Sequence, residues 1–146
     1  MNKTDILYVG FQLLLFILFV MSNNNNSIGL HLSVIGLTLS VLGLLIIIIS
    51  LLQLNKSLSP FPSPKKGSKL VISGLYSIVR HPIYFGILTM FLGYSLYCDN
   101  WSQLLITFVL AILFHFKSEY EEKMLLQKFP SYKAYKKSTS KIIPFF

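Results

Sequence analysis

Residues 28–54 read IGLHLSVIGLTLSVLGLLIIIISLLQL, a run of 27 residues without a formal charge. A helix of about 20 apolar residues crosses a hydrocarbon core of roughly 30 Å, so this stretch reads as a membrane span rather than a soluble core element. Working outward, the polar break SNNNNS at 22–27 separates it from a second apolar segment, DILYVGFQLLLFILFVM at 5–21. Downstream, NKSLSPFPSPKKGS at 55–68 holds three prolines, Pro60, Pro62 and Pro64, which stop a helix continuing through it. Two further apolar segments, 82–98 and 101–116, are separated only by Asp99 and Asn100. So short a connection demands antiparallel neighbours. From Lys117 the chain is basic, aromatic and too polar to span.

The predicted fold class is all-α: an integral membrane bundle of about four transmembrane helices with a C-terminal amphipathic helical tail, in one domain over 1–146. Composition agrees, since 53% of the 146 residues are apolar and 12% charged, about half the roughly 25% of an ordinary soluble domain. Cys98 is the only cysteine, so no intrachain disulfide forms. The net charge of +8 sits beside apolar segments rather than on a groove-reading element, which points to a membrane surface and away from nucleic acid.

Charge also predicts orientation. Lys3 precedes the first segment, Lys56, Lys65, Lys66, Lys69 and Arg80 lie between the second and third, and the remaining seven lysines follow the fourth. With four crossings all 13 basic residues share one side, which the positive-inside rule makes cytoplasmic. Both termini are then cytoplasmic. The first segment lacks an A-x-A-like cleavage site after its apolar run and reads as a retained anchor.

Gly29, Ser33, Gly36, Ser40 and Gly43 recur every four or three residues along the second segment, with Gly86 and Gly93 as a smaller strip on the third. Small residues on one face let helix backbones approach closely in lipid, so a packing seam is expected. Phosphate-loop, dinucleotide and zinc-protease motifs are absent. His31, His81 and His115 fall on different segments without carboxylate or thiol partners at ligand spacing, so no metal is expected.

Polar chemistry gathers where the third segment begins. Arg80 and His81 precede Pro82, which suits the first helical turn and keeps His81 out of helical geometry. The guanidinium and the free N–H groups of the helix start would cradle an anion there, or Arg80 simply anchors the helix end among headgroups. Glu119, Glu121 and Glu122 hold three of the five acidic residues. Glu119 and Lys123 have the spacing of a helix-surface pair. Glu121 and Glu122 point about 100° apart on a helix, so at most one faces a site directly; on a basic face they fit a cationic or polyhydroxyl ligand, or a solvated helix end. Leu125, Phe129, Tyr132 and Lys136 follow at helical spacing as an interfacial amphipathic element. Pro130 is expected to divide it into two short helices, the second starting at the proline, and a tail folded back would lid a cytoplasm-facing pocket.

These residues resemble a known family. Gly74-x-Tyr76-x-x-x-Arg80-His81-Pro82-x-Tyr84-x-Gly86, then Glu121-Glu122-x-x-Leu125-x-x-x-Phe129-x-x-Tyr132-x-x-Tyr135 and Ile143-Pro144, are similar to the isoprenylcysteine carboxyl methyltransferase and phospholipid methyltransferase superfamily of integral membrane enzymes. The resemblance covers about residues 68–146. Leu75 stands where proline is common in that family, and Pro130-Ser131 replaces its usual glycine-containing turn. It implies S-adenosylmethionine on the cytosolic side and an opening through which a lipophilic acceptor enters. It further implies cofactor contacts from Tyr76, His81, Tyr84, Gly86, Glu121 and Glu122, and catalytic roles for Arg80 and His81: Arg80 would hold a carboxylate acceptor, while His81 or a glutamate would accept the proton of an amine. Two competing readings are a steroid 5-alpha-reductase-like membrane enzyme using NADPH and a non-enzymatic membrane assembly protein. The first needs a more basic pocket, and the second has no use for elbow and acidic pair together.

Overall fold

Two glycines of α2 (Ser33–Leu54) meet two of α3 (Pro82–Tyr97) at backbone distance. A methyl group on Gly36 would lie 2.6 Å from the Gly93 carbonyl oxygen, and one on Gly43 would lie 2.7 Å from that of Gly86. Between these contacts Ser40 donates its hydroxyl to the Met90 carbonyl at 2.9 Å. Lipid is as apolar as a leucine side chain, so close packing and such hydrogen bonds, rather than burial, hold helices together there. The small-residue stripe is therefore the α2–α3 seam. This is a computed structural model, and it describes residues 3–22, 32–55, 59, 61–63, 67 and 69–144. Gly29, His31, the asparagine run and most of the proline-rich stretch lie outside the described residues.

Helix α1 (Lys3–Met21) packs on α4 (Trp101–Lys128). Leu15 and Phe19 of α1, Ile87 and Phe91 of α3, and Leu110, Leu113 and Phe114 of α4 form the core. Phe19 stacks on Phe91 with ring centroids 4.0 Å apart. Outward, α1 and α2 expose leucine, isoleucine and valine along most of their length, the expected surface of helices solvated by lipid. Helices α1, α2 and α4 are long and apolar enough to cross a membrane, and α3 is a shorter apolar helix. The result is an all-helical membrane bundle.

The α3–α4 turn is tight, as expected. Asp99 takes a left-handed conformation, and the Asn100 side chain accepts hydrogen bonds from the backbone N–H groups of Ser102 and Gln103 at 2.9 and 3.2 Å, capping α4. The Asn100 amide also donates to the Ser22 carbonyl at 2.9 Å, which pins the end of α1.

The helix does not end with the fourth apolar segment. Helix α4 runs unbroken to Lys128, because no proline or glycine interrupts 101–128 and Glu, Lys, Leu, Met and Gln sustain helix on their own. About 20 residues suffice to cross the hydrocarbon, so Glu121 and Glu122 stand on a rigid extension of a span rather than on a separate tail. Pro130 and Ser131 form a turn, and the one further helix, α5 (Tyr132–Ser138), starts two residues after the proline. The tail is therefore helical on both sides of the Pro130 turn, in the end of α4 and in α5. The chain beyond it pairs with the elbow: the Arg80 and His81 backbone N–H groups donate to the Ser140 and Lys141 carbonyls at 2.8 and 3.0 Å.

Candidate active site

The elbow is placed by the end of α2. Gly74, with a φ of 64° that favours glycine, opens a 3₁₀ turn over Gly74–Ser77, and the Gln53 side chain accepts the Leu75 N–H at 3.0 Å. Pro82 then starts α3 at its first turn, leaving Arg80 and His81 facing the extension of α4.

There the elbow meets the acidic pair directly. Arg80 Nε donates to Glu122 Oε1 at 2.7 Å, and Lys136 Nζ of α5 reaches Glu122 Oε2 at 2.7 Å. The second arm of the guanidinium donates to the Lys136 carbonyl at 3.1 Å and to that of Thr139. His81 lies between the two glutamates, Nδ1 3.5 Å from Glu121 Oε2 and Nε2 3.3 Å from Glu122 Oε1. Tyr84 donates its hydroxyl to Glu121 Oε2 at 3.0 Å. The His81 ring stacks on Tyr84, and Tyr84 on Phe114, with centroids 5.3 and 4.4 Å apart, so the site is continuous with the core.

The adjacent carboxylates differ in electrostatics. Burial raises Glu122, but hydrogen bonds from His81, Lys136 and Arg80 outweigh it and hold its carboxyl well below the usual carboxylate range. Burial also raises Glu121, and His81, Tyr84 and Lys117 offset this only in part, so its carboxyl stays above that range. Burial pushes Tyr135 up to about 12 and Tyr76 and Tyr132 higher still. These phenols remain protonated donors. Tyr135 donates to the Tyr76 carbonyl, which fastens α5 over the elbow.

Behind this wall lies a cavity of about 420 Å³, inside the roughly 300–1,000 Å³ of small-molecule sites. Tyr76, Arg80, His81, Tyr84, Glu121, Tyr132 and Tyr135 line its polar side, and Val9, Leu13, Leu51, Leu54, Ile83 and Ile87 of α1, α2 and α3 line its apolar side. Only Glu121 of the acidic pair lines it. The Tyr132 hydroxyl is buried without a hydrogen-bond partner, a donor that suits a polar ligand.

Several expected placements are corrected. Gly86 is not on the cavity wall but in the seam with Gly43, because only a residue without a side chain fits that contact. The anion cradle at Arg80 is filled by Glu122 and the tail carbonyls. Glu119 pairs with His115 at 3.4 Å and Lys141 at 3.6 Å, the folded-back tail supplying a cation in place of Lys123. Leu125, Phe129 and Tyr132 line the cavity, so that face of the amphipathic element turns inward. No group of residues suited to a metal ion occurs among the described residues.

Two residues of the wall escaped the sequence reading. Lys117 Nζ donates to Gln12 Oε1 of α1 at 2.6 Å, and both line the cavity. The available signal was Gln12 itself, the one amide inside the first apolar segment.

No curated protein matches the chain. The phospholipid methyltransferase family matches residues 31–132, which hold α2, the elbow, α3, α4 and the first residue of α5. That match spans more than half of the chain and contains both the elbow and the acidic pair, so the chain belongs to the phospholipid methyltransferase family, within the isoprenylcysteine/phospholipid methyltransferase superfamily.

Proposed function

We propose that this membrane protein transfers a methyl group from S-adenosylmethionine to a lipophilic acceptor at the cytoplasmic face, with both termini on that side. The observation that carries the reading is the cavity with one half-buried carboxylate, Glu121, on a wall of tyrosines and His81, opening on apolar side chains of three helices. When bound, S-adenosylmethionine supplies an electrophilic methyl on a positively charged sulfur. A carboxylate, aromatic faces and an unpartnered phenol donor, that of Tyr132, suit such a cationic, hydroxyl-bearing molecule, so the residues fit it.

In this reading Glu121 binds the cofactor's positive charge, and Tyr76, Tyr84 and the free Tyr132 hydroxyl orient it. His81, with one ring nitrogen against each glutamate, donates to their carboxylates and orients Glu121 on the cavity wall. Glu122 and Arg80 keep the α5 tail closed and water out. Positioning and desolvation account for most of the acceleration of an in-line displacement, and a rigid, closed wall supplies both.

The test is incorporation of a labelled methyl group into a solvent-extractable lipid product by membranes containing the protein. Wild type is expected to incorporate label, and Glu121→Gln to reduce incorporation at least about tenfold, the size of one lost charge-assisted contact. Equal incorporation by the variant contradicts the assignment of Glu121.

A further inference from the structure

Lys117 is 2% exposed. It is the seventeenth residue of α4, roughly 24 Å along the helix from Trp101 and so within the depth of the hydrocarbon. An ionisable residue at that depth is costly and marks a functional site by default. Its ammonium donates to Gln12 Oε1 at 2.6 Å, lies 5.4 Å over the Tyr84 ring, and lines the cavity on the side of α1. A lysine ammonium has no acceptor, so the Gln12 carbonyl must face it and the Gln12 NH2 must point elsewhere. Lys117 and Gln12 therefore present hydrogen-bond donors from two helices.

Among the described residues, Lys69, Arg80 and Lys117 line the cavity together with one carboxylate, Glu121. Glu122, outside the cavity, neutralises Arg80. Lys117 and Glu121 interact electrostatically and stand one helical turn apart, so a group held by each would share one hollow.

We infer that Lys117 and Gln12 bind an anionic oxygen group, carboxylate or phosphate, of the lipophilic acceptor. The acceptor's apolar chain then lies against Val9, Leu13 and Ile87, and its head is held one turn from Glu121. The inference rests on the methyltransferase reading for the identity of the acceptor, but not for the binding of the anion.

The experiment is calorimetric titration of the protein in lipid nanodiscs with dodecanoate, dodecyl phosphate, dodecanol and inorganic phosphate, and separately with S-adenosylmethionine. Wild type is expected to bind the two acids at least about tenfold more tightly than the alcohol, the value of one buried charge-assisted hydrogen bond. Lys117→Met is expected to abolish that preference, Lys117→Arg to retain it, and Gln12→Leu to weaken it. Equal binding of acid and alcohol by wild type, which needs no variant, overturns the inference, as does a preference that survives Lys117→Met. Inorganic phosphate binding as tightly as dodecyl phosphate assigns the donors to a free anion and overturns the lipid acceptor. An acid preference without S-adenosylmethionine binding contradicts the cofactor reading alone, and the reverse result contradicts this inference alone.

Discussion

Glu121 and Glu122 are neighbours in sequence with opposite electrostatic fates. Glu122 is ion-paired to Arg80 and Lys136, and Glu121 faces the cavity under the hydroxyl of Tyr84. Because Glu122 titrates below its unfolded value, its contribution to stability is present above about pH 4.3 and is lost as pH falls through the lower, folded value. Acid titration of thermal stability is expected to show this loss in wild type and a flatter profile in Glu122→Gln. Removing Arg80 leaves a buried carboxylate with part of its pairing gone, so Arg80→Ala is expected to lower stability by about 3 kcal/mol, read as an earlier melting transition. For Glu121 the sign is reversed: its raised value means that the ionised form appears only as pH rises past the usual range of about 4.3. Binding of a cation there is expected to strengthen with pH through that higher value, with His81, Tyr84, Lys117 and Glu122 as the groups facing it, and Glu121→Gln is expected to remove the dependence. The 100° rule limited the pair to one cavity-facing member, but which one depends on helix phase against α3, and that lies in packing rather than in local sequence.

The α2–α3 seam and the length of α4 decide where these residues stand. Gly36 and Gly43 approach Gly93 and Gly86 too closely for any side chain, so Gly43→Leu is expected to separate the helices and lower thermal stability by roughly 2 kcal/mol or more, whereas Gly10→Leu, which meets open space, is expected to change little. The seam was legible because small residues recur at every third or fourth position along one helix face, where they allow close backbone approach. The end of α4 was not, because hydropathy stops at Phe116 while helix propensity continues to Lys128. A polar helical extension and a loose tail have the same composition, and only the packing of α5 and residues 139–141 against the elbow distinguishes them.

In the molecule as a whole, α2 packs on α3, α3 on α4 and α4 on α1. The cavity runs from residues of α1 to residues of α2, with α3 and α4 behind it and α5 across its polar end. Its polar end was readable from the elbow and acidic motifs, since each carries several charged residues at fixed spacing. Its membrane end was not, because Gln12 and Lys117 are single residues on separate segments that only folding brings within 2.6 Å. Equilibrium titration of the purified protein with S-adenosylmethionine and with NADPH, repeated on Glu121→Gln, bears most directly on whether elbow and acidic pair enclose a methyl donor. Saturable binding of S-adenosylmethionine, at least about tenfold weaker in the variant, with no binding of NADPH, is the expected result; binding of NADPH alone, or S-adenosylmethionine binding indifferent to Glu121, would contradict it.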